Sequence, residues 1–339
     1  MFIVGNYTLA VIFCFVTMLC WGSWGNTQKL AAKSWRYELF YWDYVIGMVI
    51  FSLILALTMG SIGSQGRPFL KDLAQVEGGA LWSILIGGAI FNASNILLSA
   101  STSIAGMSVA FPLGVGLALV LGVINNYIVD VQQGTTGNVA LLAIGVVLVV
   151  LAVICNGIAS GKRGVSTVSA KDSRKGIILA ILAGVLMSFW SRFVASAMDL
   201  SNFAAPASGK VTPYTAGVLF SLAVFASNII FNTIVMKVPF VGAPVSYRDY
   251  FKGSFPTHLV GMLGGVIWIL GTVFNNIAMG QAGASVSYAL GQGAPMIAAL
   301  WGVFIWKEFK GSGRSVYSLL ALMFALFIAG LGCIVAAGL

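Results

Sequence analysis

The stretch that decides the fold occurs twice: AGMSVAFPLGVG at residues 105–116 and AGASVSYALGQG at residues 282–293. Around these blocks, residues 86–116 align without gaps with residues 263–293 at an offset of 177, with ten identical positions. Glycine-rich helix packing alone would not keep one register over this length. We therefore predict an internal repeat, with the two copies separated by a basic stretch at 159–175.

The composition places these copies in a membrane. Hydrophobic residues make up 59% of the chain and charged residues only 8%, with a mean hydropathy of +0.98. So few charges cannot cover the surface of a soluble protein. Ten apolar runs have lengths that suit transmembrane helices, and they lack the alternation of a membrane β-barrel. They lie at residues 7–25, 39–60, 80–101, 105–128, 138–158, 176–198, 213–236, 258–280, 283–306 and 315–337.

Five runs fall in each copy of the repeat. Because five is odd, the second copy must enter the membrane in the opposite sense to the first. The sequence thus predicts an all-α integral membrane protein of ten transmembrane helices, arranged as two inverted five-helix repeats. The first repeat covers residues 1–160, a cytoplasmic basic linker covers 161–175, and the second repeat covers 176–339, all forming one transport domain. Inverted repeats are typical of secondary transporters.

The loops between runs predict the orientation. Fourteen Lys and Arg residues follow runs 1, 5, 7 and 9, whereas the other side has only Arg67, Lys71 and Lys210. By the positive-inside rule the richer side is cytoplasmic, so both termini face outward from the plasma (inner) membrane. The net charge of +9 then reflects topology rather than nucleic-acid binding. The richer side carries Lys29, Lys33, Arg36, Lys162, Arg163, Lys171, Arg174, Lys175, Lys237, Arg248, Lys252, Lys307, Lys310 and Arg314.

Two ionisable residues within the runs are candidates for function, since a charge in lipid is costly. Asp43 lies one to two turns from the cytoplasmic side, and burial there would favour proton binding by its carboxylate. Alternatively, Asp43 is a partly solvated acid at a helix start, paired with a neighbouring basic residue. Arg192 could bind a substrate oxygen, pair with Asp43 or Asp199, or extend to the outer headgroups.

Buried amides form a second pattern. Carboxamides offer both donors and acceptors, which suits a neutral ligand that needs several directed hydrogen bonds. They could equally join helices to one another. The amides, with one tyrosine, that are predicted to bind substrate are Asn92, Asn95, Asn275, Asn276, Tyr288 and Gln292.

Aromatic residues within the runs could stack on a sugar or a flat heterocycle, or belong to interfacial belts. Trp268 aligns with Phe91 across the repeat. Phe189, which directly precedes Trp190, is the counterpart of Trp21 at a slightly different offset. Since both copies place aromatic residues at these points, we predict that Trp190 and Trp268 line the substrate cavity.

Three stretches also resemble a known family: LCWGSWGNTQKLA at 19–31, YWDY to LTMGSIG at 41–63, and WGVFIWKEFKGSGRSVYSLLALMF at 301–324. They are similar to the ureide permease family within the drug/metabolite transporter superfamily. More loosely, GGVIW at 264–268 and KGIILAILAGVLMS at 175–188 resemble rhamnose–proton symporters and glucose/ribose porters. The resemblance implies proton-driven uptake of a small neutral polar solute, either a monosaccharide or a ureide or nucleobase-like compound.

These observations favour a secondary active transporter that works by alternating access. An exporter from the same superfamily is the alternative, and a membrane enzyme is a remote one, since HExxH and GxSxG motifs are lacking and the single His258 begins a helix. The four cysteines lack metal or disulfide spacing. The expected partners are a small-molecule substrate, protons and the bilayer, without nucleic acid, in a monomer or homodimer. No cofactor is expected, with the proton gradient as the energy source.

Overall fold

The structure, a computed structural model, describes residues 1–31, 35–105, 107–162 and 170–339, without the side chains at 105, 107–112 and 170–173. Lys33 and Arg163 of the predicted cytoplasmic side, Gly106 of the first repeat block and part of the predicted linker 161–175 lie outside these ranges.

The described residues form helices almost throughout. In the first half these are α1 (Tyr7–Ser23), α2 (Gly25–Ala31), α3 (Tyr37–Leu57), α4 (Phe69–Ala74), α5 (Gly78–Ala105), α6 (Met107–Gln133) and α7 (Val139–Lys162). In the second half they are α8 (Ala170–Met187), α9 (Trp190–Ala197), α10 (Pro213–Lys237), α11 (Tyr247–Tyr250), α12 (Phe255–Gly291), α13 (Ala294–Leu300), a π-helical turn (Trp301–Ile305) and α14 (Arg314–Ala337). In these ranges the only β-type pairing is one isolated bridge, between Met198 and Val211.

Local sequence fixes several helix starts. The Asn6 side chain accepts a hydrogen bond from the backbone N–H of Leu9 at 2.9 Å and so caps α1. Thr212 caps α10, where Pro213 occupies the first turn and needs no hydrogen-bond partner for its nitrogen. Ser246 and Asp249 form a capping box around the short helix α11.

Nine helical stretches of the described chain are long and apolar enough to span a membrane, where the sequence predicted ten. The difference arises at the predicted runs 258–280 and 283–306, which fall in one stretch, Phe255–Ile305, of 51 residues. The protein is therefore a multi-pass, helical membrane protein.

The chain nevertheless folds back within α12. Gly283 has a φ of +75° and a ψ of 166°, which are not helical values. The Asn275 side-chain nitrogen donates to the backbone carbonyl of Ser287 at 2.7 Å, although twelve residues of continuous helix would separate them by about 18 Å. Gly271 and Gly291 also both pack against the Trp21 indole. α12 thus consists of two arms that meet at Gly283.

Contacts between loops define two ends of the helix bundle. At what we call the basic end, Arg36 donates to the carbonyls of Val241 and Ala243, and Lys29 pairs with Glu308. At the opposite end, the terminal ammonium of Met1 donates to the carbonyl of Gln65 at 2.5 Å. The backbone of Asn138 donates to the carbonyl of Ala337 there at 2.6 Å. Both chain termini therefore lie at the same end, away from the basic loops.

Two glycines bring the inner helices into close contact. A Cβ on Gly88 of α5 would lie 2.9 Å from the backbone carbonyl oxygen of Phe220 in α10. A Cβ on Gly265 of α12 would overlap the backbone carbonyl of Tyr44 in α3. The two helix pairs consequently pack at backbone contact in the centre of the bundle, where the candidate site lies.

Candidate functional site

Six aromatic side chains meet in the centre of the bundle, and we call them the aromatic cluster. The rings of Phe91 and Trp268 have centroids 4.3 Å apart, and those of Trp190 and Phe220 are 5.2 Å apart. Trp190 and Trp268, both predicted to line a cavity, are 5.9 Å apart. The cluster consists of Trp21, Phe91, Trp190, Phe220, Trp268 and Tyr288, from α1, α5, α9, α10 and α12.

Two predicted amides on α5 connect this helix to its neighbours. The Asn92 side chain donates to the hydroxyl of Ser227 on α10 at 2.9 Å. The Asn95 side chain donates to the hydroxyl of Tyr41 on α3 at 3.1 Å. Both amides are buried, and they follow Phe91 along the helix. They therefore lie next to the aromatic cluster, on its basic-end side.

The predicted residues of α12 lie toward the opposite end. Asn275 joins the two arms through Ser287, and the Tyr288 hydroxyl donates to the carbonyl of Ala118 at 3.1 Å. Asn276 and Gln292 are buried between helices. Because Tyr288 also contacts Trp190, these residues flank the other side of the aromatic cluster.

Several buried amide groups have no hydrogen-bond partner within the described part of the protein. Both polar atoms of Asn276 and of Asn228 lack one, as do the carbonyl oxygens of the Asn92 and Asn275 side chains. Leaving one buried polar group unpaired costs about 1–3 kcal/mol. The interior thus holds uncharged donors and acceptors with unused capacity on both sides of the aromatic cluster.

Arg192 is half-buried on α9, two residues beyond Trp190. It forms neither of the two ion pairs considered for it, with Asp43 or with Asp199. Burial alone would raise the pKa of Asp199, but hydrogen bonds from Ser201 and from the Ala207 backbone lower it overall. Asp199 is thus satisfied within its own loop and is not a counterion for Arg192.

Asp43 is fully buried near the basic end, where three side chains donate to or share protons with its carboxylate. The Tyr250 hydroxyl lies 2.6 Å and His258 Nδ1 lies 2.7 Å from Asp43 Oδ1. The Trp35 indole donates to Asp43 Oδ2 at 3.2 Å. Arg36 pairs instead with Glu38, so Asp43 has no Arg or Lys partner among the described residues.

Two clefts, of about 230 and 220 Å³, open at the opposite end of the bundle. The first is lined by Glu77, Ser83, Ser196 and Lys210, among others. The second includes the side chains of Gln65 and Gln281. None of the predicted substrate-binding residues lines either cleft, and all of them except the half-buried Arg192 are buried.

Comparison with known proteins identifies the family. The sequence profile of the ureide permease family matches residues 159–337, which is more than half of the chain. The chain belongs to the ureide permease family. Ureide permease 1 of Arabidopsis thaliana is 22% identical, with 96% of each chain covered. Ureide permease 2 of the same plant is 24% identical over 99% of this chain and 98% of that protein.

A relative from a second plant and a solved structure extend the comparison. Probable ureide permease A3 of Vigna unguiculata is 20% identical over 91% of this chain and 97% of its own. One crystal structure superposes with a TM-score of 0.61 at 16% identity, covering 97% of this chain and 96% of the other, so the fold occurs in a solved protein. The relatives are named permeases, and the protein is accordingly a transporter of a small molecule rather than an enzyme.

Three residues of this ureide permease family member that surround Asp43 were missed from the sequence. Trp35 precedes α3 by two residues, Tyr250 lies in α11, and His258 lies in the first turn of α12. The available signal was that His258 is the only histidine of the chain. Its partner lies 215 positions away, however, and no local spacing connects the two.

Buried carboxylates other than Asp43 were also missed. Asp130, at the end of α6, accepts hydrogen bonds from the backbone N–H groups of Ala284 and Ser285 at 2.6 and 2.8 Å. It also accepts from the Ser285 and Thr135 hydroxyls. Asp130 thereby caps the second arm of α12. In the described ranges, no group of three His, Cys, Asp or Glu side chains is placed to hold a metal ion.

Proposed function

We propose that the protein is a proton-coupled transporter that takes up a small, neutral ureide by alternating access. The observation that carries this proposal is the match to plant ureide permeases over almost the entire chain. The buried amides around the aromatic cluster support a neutral polar substrate rather than an ion, and Arg192 is the one charged residue in the proposed set.

The proposed architecture is ten spans in two inverted repeats. Gly283, where α12 folds back, aligns with Gly106 of the first repeat in the sequence. Counting the two arms of α12 separately gives the tenth span.

Packing between repeats supports the same architecture. Gly88 packs against the Phe220 carbonyl, and its counterpart Gly265 packs against the Tyr44 carbonyl. Phe220 and Tyr44 are themselves 176 positions apart, almost the offset of the repeat. Phe91 and its counterpart Trp268 are in ring contact, as residues close to a two-fold axis would be.

The substrate class follows from the chemistry of the interior. A ureide presents several N–H donors and C=O acceptors in a nearly planar group, and carboxamides can pair with both. The unpartnered groups of Asn276 and the unpartnered side-chain oxygens of Asn92 and Asn275 supply such partners. The proposed binding set is Asn92, Asn95, Trp190, Arg192, Trp268, Asn275, Asn276, Tyr288 and Gln292.

Proton coupling is proposed to act through Asp43. Its carboxylate is buried at the basic end and belongs to a cluster that joins α3, α11 and α12. A change of charge there alters the contacts between these elements, which is how a proton can be linked to a gate. With the basic end in the cytoplasm, both termini lie outside the plasma membrane.

A thermal-shift screen tests the substrate class. The purified protein is heated with allantoin as the ureide, glucose as the monosaccharide, uracil as the nucleobase and glycine as an amino acid. A ligand at 100 times its Kd stabilises the folded state by about 2.7 kcal/mol. We expect allantoin to raise the Tm. Stabilisation by glucose alone, or by none of the four, would contradict the proposed substrate class.

A further inference from the structure

The Asp43 cluster contains a second titratable group that the proposed coupling does not yet use. The cluster is Trp35, Asp43, Tyr250 and His258. The Asp43 side chain has 0% exposure, whereas that of His258 is 17% exposed. Trp35 is buried as well. Tyr250 and His258 are both partly exposed, but only the imidazole has a second ring nitrogen that can take up and release a proton.

Burial disfavours a charged Asp43 side chain, whereas the hydrogen bonds around it favour the carboxylate form. Trp35 offers its N–H and Tyr250 its O–H to the Asp43 oxygens, so two donors already stabilise the carboxylate form. Burial, followed by the hydrogen bond and the charge of Asp43, raises the pKa of the Tyr250 hydroxyl above its ordinary value. Tyr250 thus stays protonated and remains a donor. A third donor at the same carboxylate would be His258 Nδ1–H.

Packing fixes the imidazole in this orientation. The ring contacts Trp35 and Tyr250 edge to face, with centroids 5.2 and 4.8 Å away. A Cβ on Gly253 would lie 2.6 Å from His258 Nε2, so a side chain at position 253 would collide with the imidazole in this orientation. Nδ1 therefore faces Asp43, and Nε2 faces the turn at the basic end.

The other charged groups of the surrounding elements have partners of their own, except Arg248 of α11, which is exposed. Arg36, next to Trp35, pairs with Glu38. Lys252, in the turn after α11, pairs with Asp249, which also caps α11. The titratable groups that contact the imidazole among the described residues are accordingly Asp43 and Tyr250.

We infer that His258 carries the coupling proton, on Nε2, while Asp43 positions the ring and balances its charge. This inference rests on the proposed coupling through Asp43. In the step, neutral imidazole takes a proton from hydronium at Nε2 and becomes imidazolium, leaving water, and the reverse step returns the proton. Nδ1–H stays donated to Asp43 Oδ1 throughout, so a buried ion pair forms and disappears as the gate at the basic end changes state.

The first test measures transport in proteoliposomes with labelled allantoin. With a gradient of one pH unit, one proton per substrate supports about tenfold accumulation. We expect His258→Gln to abolish this accumulation while exchange at equal pH stays within about twofold of wild type, since one pH unit no longer contributes its 1.36 kcal/mol. Trp35→Phe is the matched control: it removes an N–H donor to the same carboxylate but no proton carrier, and it should still accumulate substrate.

Comparing His258→Gln with Asp43→Asn distinguishes the role of His258 from the proposed coupling through Asp43. If His258→Gln accumulates allantoin at the wild-type level while Asp43→Asn does not accumulate it, the role of His258 is overturned. Coupling through Asp43 then remains intact. Wild-type accumulation in both variants would overturn the proposed coupling as well.

The second test needs no substrate. Because the chain has one histidine, ¹⁵N labelling of histidine reports this ring alone. We expect the neutral ring to carry its proton on Nδ1, and to gain a second proton on acidification, with the tautomer preference lost in Asp43→Asn. A ring that carries its proton on Nε2, or that never titrates while the protein stays folded, would overturn the inference.

Discussion

At the scale of single residues, two neighbouring asparagines on α12 differ in their contacts. The Asn275 side chain donates to the Ser287 carbonyl and so holds the two arms of α12 together. Both polar atoms of Asn276 are buried, and neither has a hydrogen-bond partner in the ranges that the structure describes. Asn275 therefore contributes to stability whatever its role in transport, whereas Asn276 lowers stability unless a ligand meets it.

Replacing Asn276 with alanine distinguishes a role in substrate binding from a role in stability. A lost hydrogen-bond partner of a desolvated ligand group costs about 1–3 kcal/mol, so Asn276→Ala should weaken allantoin binding roughly five- to hundredfold. Its Tm without ligand should equal or exceed that of wild type. Asn275→Ala should lower both quantities. Wild-type affinity in Asn276→Ala would remove this residue from the binding set.

Gln292 offers an independent check of the same set. It is buried one turn beyond Tyr288, on the second arm of α12. Gln292→Ala should also weaken binding, by about 1–3 kcal/mol if the amide pairs with the substrate. Titration calorimetry with allantoin measures the change. Unaltered affinity at normal expression would mean that Gln292 only joins helices.

Contacts between residues were predictable from the sequence where the repeat connects them. Phe91 and Trp268 align across the repeat, and their rings do meet. Asp43 and His258 share no pattern of this kind, because the carboxylate belongs to α3 and the imidazole to α12. Their contact depends on how the helices pack, which hydrophobic periodicity does not specify.

At the scale of helices, the break in α12 is stabilised from a distance. The Asp130 carboxylate on α6 accepts hydrogen bonds from the backbone N–H groups of Ala284 and Ser285. These two residues directly follow Gly283, which has a positive φ. A carboxylate at a helix start also interacts favourably with the helix dipole. The apolar runs could predict where this hairpin begins and ends, but not which carboxylate caps it, since 154 positions separate the partners.

Removing this cap should loosen the hairpin. Asp130→Ala leaves two backbone donors without their charged partner, at a cost of about 1.5–3 kcal/mol for each hydrogen bond to a charged group. The Tm should fall clearly below that of wild type. Asp249→Ala is the control, since that carboxylate is exposed and caps only the four-residue helix α11. An equal Tm for Asp130→Ala and wild type would contradict the capping role.

Close helix packing gives a second prediction at this scale. A side chain at position 265 would overlap the Tyr44 carbonyl, so Gly265→Leu should prevent α3 and α12 from packing. Gly332 on α14 has no atom within 4 Å of an added Cβ, and Gly332→Leu should be tolerated. Monodispersity after detergent extraction compares the two. A well-folded Gly265→Leu protein would show that this backbone contact is not required.

At the scale of the whole molecule, both termini lie at the end opposite the basic loops. The positive-inside rule then places the termini outside the cell. A periplasmic reporter fused after Leu339 should be active, and the same reporter inserted after Gly311, at the basic end, should be inactive. The reverse pattern would invert the proposed orientation.

The central claim is that a proton gradient drives ureide uptake through Asp43. It is tested by allantoin accumulation in proteoliposomes under a gradient of one pH unit. Wild-type protein should concentrate allantoin about tenfold, and a protonophore should abolish the gradient of substrate. Asp43→Asn should exchange allantoin without concentrating it. Accumulation that survives the protonophore, or that Asp43→Asn retains at the wild-type level, would contradict the account.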